Sequence, residues 1–369
     1  MGARPPRPHE PPALRSSTPD PVLAYRLMVR MRLVEEAMAR AWADGLLPGE
    51  YHSGIGEEGI NAGVLLNLGP DDALALDHRN TAPLVGRGTD PTSLMLEILG
   101  SDRGLNRGMA GHMHVVDPDV RAVADGLVGA SAPLAVGAAL AARSRRPGSV
   151  AVAFHGEAAL NQGVLMEAYN LAVVWRLPVV FVCKDNRWSI TTRSAAVTAS
   201  TPRRRATALG LRAESARGDD VRAVHAAAGR LVRRAREGRG PGFLHVTCHR
   251  PTGHFEGDPV VRILRDPLGQ ARVLLPELRQ AWSAGTSVGP AARGRGVAVL
   301  GARVGRAALD WGLGARRDPV RRARSALPEA TATEIEADER ALVGEAAGRA
   351  RAAVAGRPVF GRPDRPGRR

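Results

Sequence analysis

A chain of 369 residues with 44% hydrophobic content is long enough for one large α/β domain or two ordinary ones, which excludes a wholly disordered protein. No apolar run reaches membrane-spanning length, and the two cysteines, Cys183 and Cys248, form no CxxC, so neither a disulfide framework nor a zinc knuckle is expected. The net charge of +15 sits in three stretches, residues 1–19, 261–325 (thirteen Arg against four acids) and 357–369, leaving the rest neutral and without the interleaved aromatics of a nucleic-acid surface.

The N-terminal stretch MGARPPRPHEPP lacks the apolar run of a signal peptide, and its prolines break any transit-peptide helix, so a cytoplasmic location is expected. Residues 1–20 are Pro-rich and predicted to be a disordered arm. From Pro21, Leu23, Leu27, Met28, Met31, Val34 and Met38 recur at helical spacing, predicting a helix that ends near Ala43, before Asp44-Gly45. A second helix is expected over 57–68, and Asp90-Pro91 marks the start of a third. Residues 101–126 are rich in Gly and His without periodicity, a pattern typical of a functional loop.

The middle of the chain predicts a helix over 133–143, a buried strand over 149–154, a helix over 158–175 and another buried strand over 177–183. Strand, helix and strand with short connections make a βαβ unit, so the fold class is α/β, a parallel sheet flanked by helices on both faces. A helix over 221–236 precedes a strand over 242–248. Residues 269–316 are rich in Gly, Ala and Arg, with a short strand-like run at 297–300. A final helix over 332–354 leads into the basic tail 357–369, and no internal repeat is visible. Lys184 is the only lysine, which reads as a compositional drift towards arginine.

Two strand ends carry chemistry. The first continues as His155-Gly156-Glu157-Ala158 and the second as Asp185-Asn186-Arg187-Trp188, both at the carboxyl edge of a parallel sheet, where open α/β sheets bind ligands. A carboxylate beside an amide oxygen can hold a hard divalent cation, and a helix opening at Ala158 would direct N–H groups at phosphates. The same residues also suit a purely structural strand end, and the pattern alone leaves both readings open.

The segment GEAALNQGVLMEAYNLAVVWRLPVVFVCKDNRW resembles the thiamine diphosphate motif of alpha subunits of 2-oxoacid dehydrogenases, the pyruvate, acetoin and branched-chain group. DHRNTAPLVGRG at 77–88, GMAGHMH at 108–114, GLVGASAPLAVGAALA at 126–141 and RPTGHFEGDP at 250–259 follow the family's order and spacing across residues 21–260. The resemblance implies a thiamine diphosphate-binding fold, with thiamine diphosphate and Mg2+ as cofactors. It implies that Glu157, Asn186 and the carbonyl of Trp188 hold magnesium, and that Gly156, Ala158 and Ala159 complete that turn at the diphosphate. Arg79, with His78 beside it, would face phosphate oxygens, Arg250 falls on the cofactor-site arginine that helps order the active-site loop, and Gly126 and Val128 would meet the aminopyrimidine. His254 and His114 fall on the family's loop histidines and are the candidates for proton transfer. The bland alternatives are a turn histidine for His254, a core residue for Val128 and a surface histidine for His52. His112 and His114 could share a strand face as metal ligands, but no third ligand lies near them in sequence, so zinc is not expected.

Departures from the family pattern are specific. Glu157 stands where the family has Asp, Ala158 where it has Gly, Asp185 where it has Asn, and Thr81 where many relatives have His. The matched motifs supply only the diphosphate half of a two-domain cofactor site, so a beta subunit is expected in an α2β2 assembly, with a lipoyl-bearing acyltransferase as acceptor. The implied function is oxidative decarboxylation of a 2-oxoacid, or cleavage of acetoin, with acyl transfer to a lipoyl group. Gly-His-Phe-Glu-Gly-Asp is closer to the pyruvate and acetoin relatives, whereas Gly-Glu-Glu-Gly at 56–59 resembles the branched-chain type. Two alternatives are a degenerate structural or regulatory subunit and a nonoxidative carboligase. The expected organisation is an arm (1–20), a diphosphate-type domain (21–260), a low-complexity insertion (261–317), a helical region (318–356) and a basic tail (357–369).

Overall fold

The computed structural model describes residues 18–47, 49–266, 289–314 and 317–356, with isolated positions between 269 and 280. Most of the N-terminal arm, much of the insertion and the basic tail therefore lie outside the described residues.

The first helix, α1, spans Pro21–Ala43. Proline occupies its first turn, where no N–H is needed, and the Asp20 carboxylate caps it by accepting from the N–H groups of Val22 and Leu23. After it come α2 (Glu58–Leu65), β1 (Ala73–Leu76), α3 (Thr81–Arg87), α4 (Pro91–Ile98), β2 (Val116–Asp117) and β3 (Ala122–Ala124). The central unit is α5 (Ser131–Arg145), β4 (Ala151–Gly156), α6 (Gly163–Val174) and β5 (Val179–Asp185). A small hairpin of β6 (Trp188–Ser189) and β7 (Thr192–Arg193) precedes α7 (Pro202–Ala208), β8 (Arg212–Arg217), α8 (Val221–Arg236) and β9 (Gly242–Thr247). Further helices span Pro259–Arg265, Pro290–Gly314, Pro319–Arg324 and Glu329–Ala353. The first of these crosses the boundary expected at residue 260. No helix among the described residues is long and apolar enough to cross a membrane.

Seven strands form one sheet in the order β2-β3-β1-β4-β5-β9-β8, parallel throughout except for the β2–β3 pair. The sheet separates two cores. Val152, Phe154, Val180 and Val182 face the layer that includes α1, α2 and α8, whereas Ala151, Ala153, Val179, Phe181 and Cys183 face the layer of α5 and α6. Burial on both faces explains why β4 and β5 read as unbroken apolar runs. Because the chain builds β3 on one side of β1 and then crosses to place β4 on the other, the order reverses at β1 and β4, the crevice where ligands bind in such sheets.

Three sequence expectations are corrected. The strand-like run 297–300 lies within the helix Pro290–Gly314, since its Ala- and Arg-rich surroundings favour helix and no period-two alternation opposes it. The helix expected from Ala158 is a 3-10 turn over Glu157–Asn161, and α6 starts only at Gly163, so no α-helical N-terminus opens at Ala158. Strands β1, β2, β3 and β8 were not anticipated. Ala73-Leu-Ala-Leu76 contains no β-branched or aromatic residue, and Arg212-Ala-Glu-Ser-Ala-Arg217 is a polar edge strand, so tertiary pairing rather than propensity makes both.

Candidate active site

The carboxyl ends of β1, β3, β4, β5 and β9 lead into the segments 77–80, 125–128, 156–158, 185–188 and 249–254. Parallel alignment therefore brings residues far apart in sequence to one edge.

Arg79 is the centre of this edge and is 1% exposed. Its Nη1 donates to the Ser53 carbonyl at 2.6 Å, and its Nη2 donates to the His254 carbonyl and lies 3.3 Å from His254 Nδ1. Burial and the neighbouring Arg250 charge bring the guanidinium down to about 10, still protonated at neutral pH. The Nε atoms of Arg79 and Arg250 are buried without a hydrogen-bond partner, and so is His78 Nε2. Buried donors without partners are costly, so the two guanidinium Nε groups, with His78 Nε2 a donor in one of its tautomers, suit the acceptor oxygens of a ligand.

Four imidazoles surround Arg79. His52 Nδ1 lies 3.1 Å from His112 Nε2, and the His52 ring centre is 5.0 Å from those of both His78 and His254. Burial first, and the arginine charges second, hold all four neutral: His52 and His254 fall to about 3, His112 to about 4, and His78 well below its usual value. His52, His78 and His254 offer ring nitrogens within 4.8 Å of one another, a spacing open to a metal ion. Two features argue against a dication there: the arginine charges that suppress imidazolium also repel a metal, and magnesium prefers oxygen ligands. The cluster is instead suited to an anion.

Beneath it, Lys184 at the end of β5 donates to Glu57 Oε2 at 2.7 Å and Asp77 Oδ1 at 3.0 Å. Burial opposes ionisation of Asp77, but the Lys184 ammonium and neighbouring groups outweigh it and hold the carboxyl well below the usual range. Gly56 (φ +96°) lets this loop press onto the end of β9, where a Cβ would come 2.0 Å from the His249 carbonyl oxygen.

Glu157 is buried and accepts from Ser194 Oγ at 2.6 Å, with burial raising its carboxyl above the usual value. The Asn186 side-chain oxygen accepts from the Trp188 N–H at 3.1 Å, closing a tight turn around Arg187, whose φ is +68°. Arg193 lies over the Trp188 ring. His114 is half exposed and stands beside Gly126, with Nδ1 3.5 Å from the Gly126 nitrogen. Val128 is exposed. The edge thus brings His78, Arg79 and His254 into one group, adjoined by Arg250 through Glu57, whereas His114, Gly126 and Val128 form a separate, open flank.

Glu57, Asp77, Lys184 and Ser194 were not singled out from sequence. For Lys184 the signal was present, a lone lysine ending a buried strand in a chain that otherwise uses arginine.

Residues 25–271 match the family model described as dehydrogenase E1 component. The chain belongs to the dehydrogenase E1 component family. Within this family it is 41% identical over 236 residues to the alpha subunit of acetoin:2,6-dichlorophenolindophenol oxidoreductase of Cupriavidus necator, covering 63% of this chain and 71% of that protein. The Bacillus subtilis protein of the same name is 37% identical, with the same shares covered. The pyruvate dehydrogenase E1 component subunit alpha of Rhizobium meliloti is 32% identical over 273 residues, covering 71% of this E1 chain and 78% of the relative. A crystal structure of Campylobacter jejuni transketolase overlaps 62% of this chain and 38% of its own, at 18% identity and a TM-score of 0.48, too low to carry weight.

Proposed function

We propose that this E1 chain is the alpha subunit of a heteromeric, thiamine diphosphate-dependent dehydrogenase component acting on acetoin or a pyruvate-like 2-oxoacid. The observation that carries the reading is the pair of buried, unpartnered Nε donors on Arg79 and Arg250, with His78 Nε2 unpartnered beside Arg79, at the carboxyl edge of the sheet, which suits a diphosphate. The Glu157 carboxylate and the Asn186 amide oxygen, with the Trp188 carbonyl, are oxygen donors of the kind Mg2+ takes between protein and phosphate. The family's acetoin-linked relatives, at 41% and 37% identity, favour acetoin over pyruvate.

When bound, thiamine diphosphate supplies a nucleophilic carbon that cleaves the bond next to the substrate carbonyl. The chain's own work is different. Arg79 and Arg250 hold phosphate charge, and burial strengthens their hold by excluding water. His254, kept neutral, can accept a proton on its ring nitrogen and return it, while Arg79 fixes its backbone. The exposed Val128 and the half-exposed His114 lie on the flank left for the aminopyrimidine and a beta partner, and a lipoyl-bearing acyltransferase would receive the acyl group.

The test is a calorimetric titration of thiamine diphosphate with Mg2+ into the chain co-purified with its beta partner. Micromolar or tighter binding is expected; an intact heteromer that binds nothing would overturn the proposal.

A further inference from the structure

We propose that Lys184 is a positioning residue that fixes both phosphate-facing arginines through two carboxylates, and that lysine rather than arginine is required there. The inference rests on the diphosphate reading above. Lys184 and Glu57 have side chains only 2% and 1% exposed, and the ammonium meets Glu57 Oε2 at 2.7 Å and Asp77 Oδ1 at 3.0 Å. Each carboxylate then reaches one arginine. The second oxygen of Glu57 lies 3.6 Å from Arg250 Nη1, and Asp77 Oδ1 accepts the backbone N–H of Arg79 at 3.1 Å. One ammonium thus joins the start of α2, the end of β1, the end of β5 and the loop after β9, the segments that must agree on where a phosphate sits.

The residue type is constrained by shape. An ammonium is compact and can aim its donors at two carboxylates, while the Phe154 ring closes another side 5.9 Å from Nζ. A guanidinium carries five donors in a planar fork, and in this closed space several would lack acceptors while the fork pushed Glu57 away from Arg250. Arginine fills the basic positions of this chain everywhere else, so its absence at this one agrees with that geometry.

The experiment uses the full chain co-purified with its beta partner, as wild type, Lys184→Met, Lys184→Arg and the control Val182→Ala, which disturbs the buried core of the same strand. Calorimetry reads the affinity for magnesium pyrophosphate and for thiamine diphosphate with Mg2+. Thermal unfolding is read alongside. Both Lys184 variants are expected to weaken the two anions by about tenfold or more, as supporting residues of such sites do. Val182→Ala is expected to lower the unfolding temperature while leaving affinity within about twofold. Lys184→Met binding like wild type would overturn the positioning role and leave the cofactor reading standing. Equal weakening in Lys184→Met and Val182→Ala would reduce Lys184 to a structural residue and overturn it too. Wild-type affinity in Lys184→Arg would overturn the requirement for lysine. A wild-type heteromer that binds neither anion would overturn the cofactor reading and this role together.

Discussion

His254 Nδ1 lies 3.3 Å from Arg79 Nη2, and the same guanidinium nitrogen donates to the His254 carbonyl, so one cation both anchors the loop and suppresses the ring's protonation. Burial, Arg79 and Arg250 hold the imidazole down to about 3. A bound diphosphate would neutralise the arginines and stabilise the imidazolium, so the pKa should rise on binding. Titration of the His254 ring proton by NMR, with and without magnesium pyrophosphate, checks this. A value that stays put or falls would place the anion elsewhere.

Glu157 is longer than the aspartate of the family motif, and its carboxylate is held by Ser194 Oγ at 2.6 Å. Ser194→Ala removes that tether, and a bond to a carboxylate is worth about 1.5 kcal/mol or slightly more. Apparent Mg2+ affinity, read from cofactor binding at varied Mg2+, should fall about tenfold. No change would mean that Ser194 plays no part in placing the carboxylate.

Glu35 is fully buried beneath the site, accepting from Tyr51 Oη at 2.6 Å and the Ala82 N–H at 3.2 Å, and burial raises its carboxyl from 4.5 to about 7. The folded state keeps a proton that the unfolded chain has released, so this group costs stability as pH rises from about 4.5 to about 7. Relative to Glu35→Gln, the wild type should therefore lose up to ~3 kcal/mol across that window. Chemical denaturation of both proteins at several pH values measures the difference, and a gap that is flat or widens the other way would refute the assignment.

How far the site was legible depended on where its residues sit in the chain. The βαβ unit from β4 to β5 was visible because two-sided burial leaves unbroken apolar runs, and α1 because its buried face repeats apolar residues at helical spacing. Glu157, Asn186, Arg79 and His254 could be named from motifs. The Lys184, Glu57 and Asp77 triplet could not, because Lys184 lies 127 and 107 residues from the two carboxylates and no local pattern encodes that meeting. The polar edge strand β8 was invisible for a related reason: its identity comes from pairing with β9.

The C-terminal helix Glu329–Ala353 is held to α1 by Glu339, whose carboxylate is 1% exposed and accepts from Arg30 Nε at 2.7 Å and Nη2 at 2.9 Å, with Arg26 at 3.3 Å. Glu339→Ala would leave two partly buried guanidinium groups without their shared partner. A loss of about 3 kcal/mol is expected. Hydrogen exchange should show the loosening concentrated in this helix and α1, and uniform exchange throughout the chain would contradict it.

The seclusion of the single lysine also makes the protein its own clock for opening. A lysine-specific endoprotease finds no accessible site in the folded chain and one site, after residue 184, once β5 leaves the sheet. The appearance of two fragments, 1–184 and 185–369, would therefore report the opening of the central sheet, free of background cuts from frayed ends or loops.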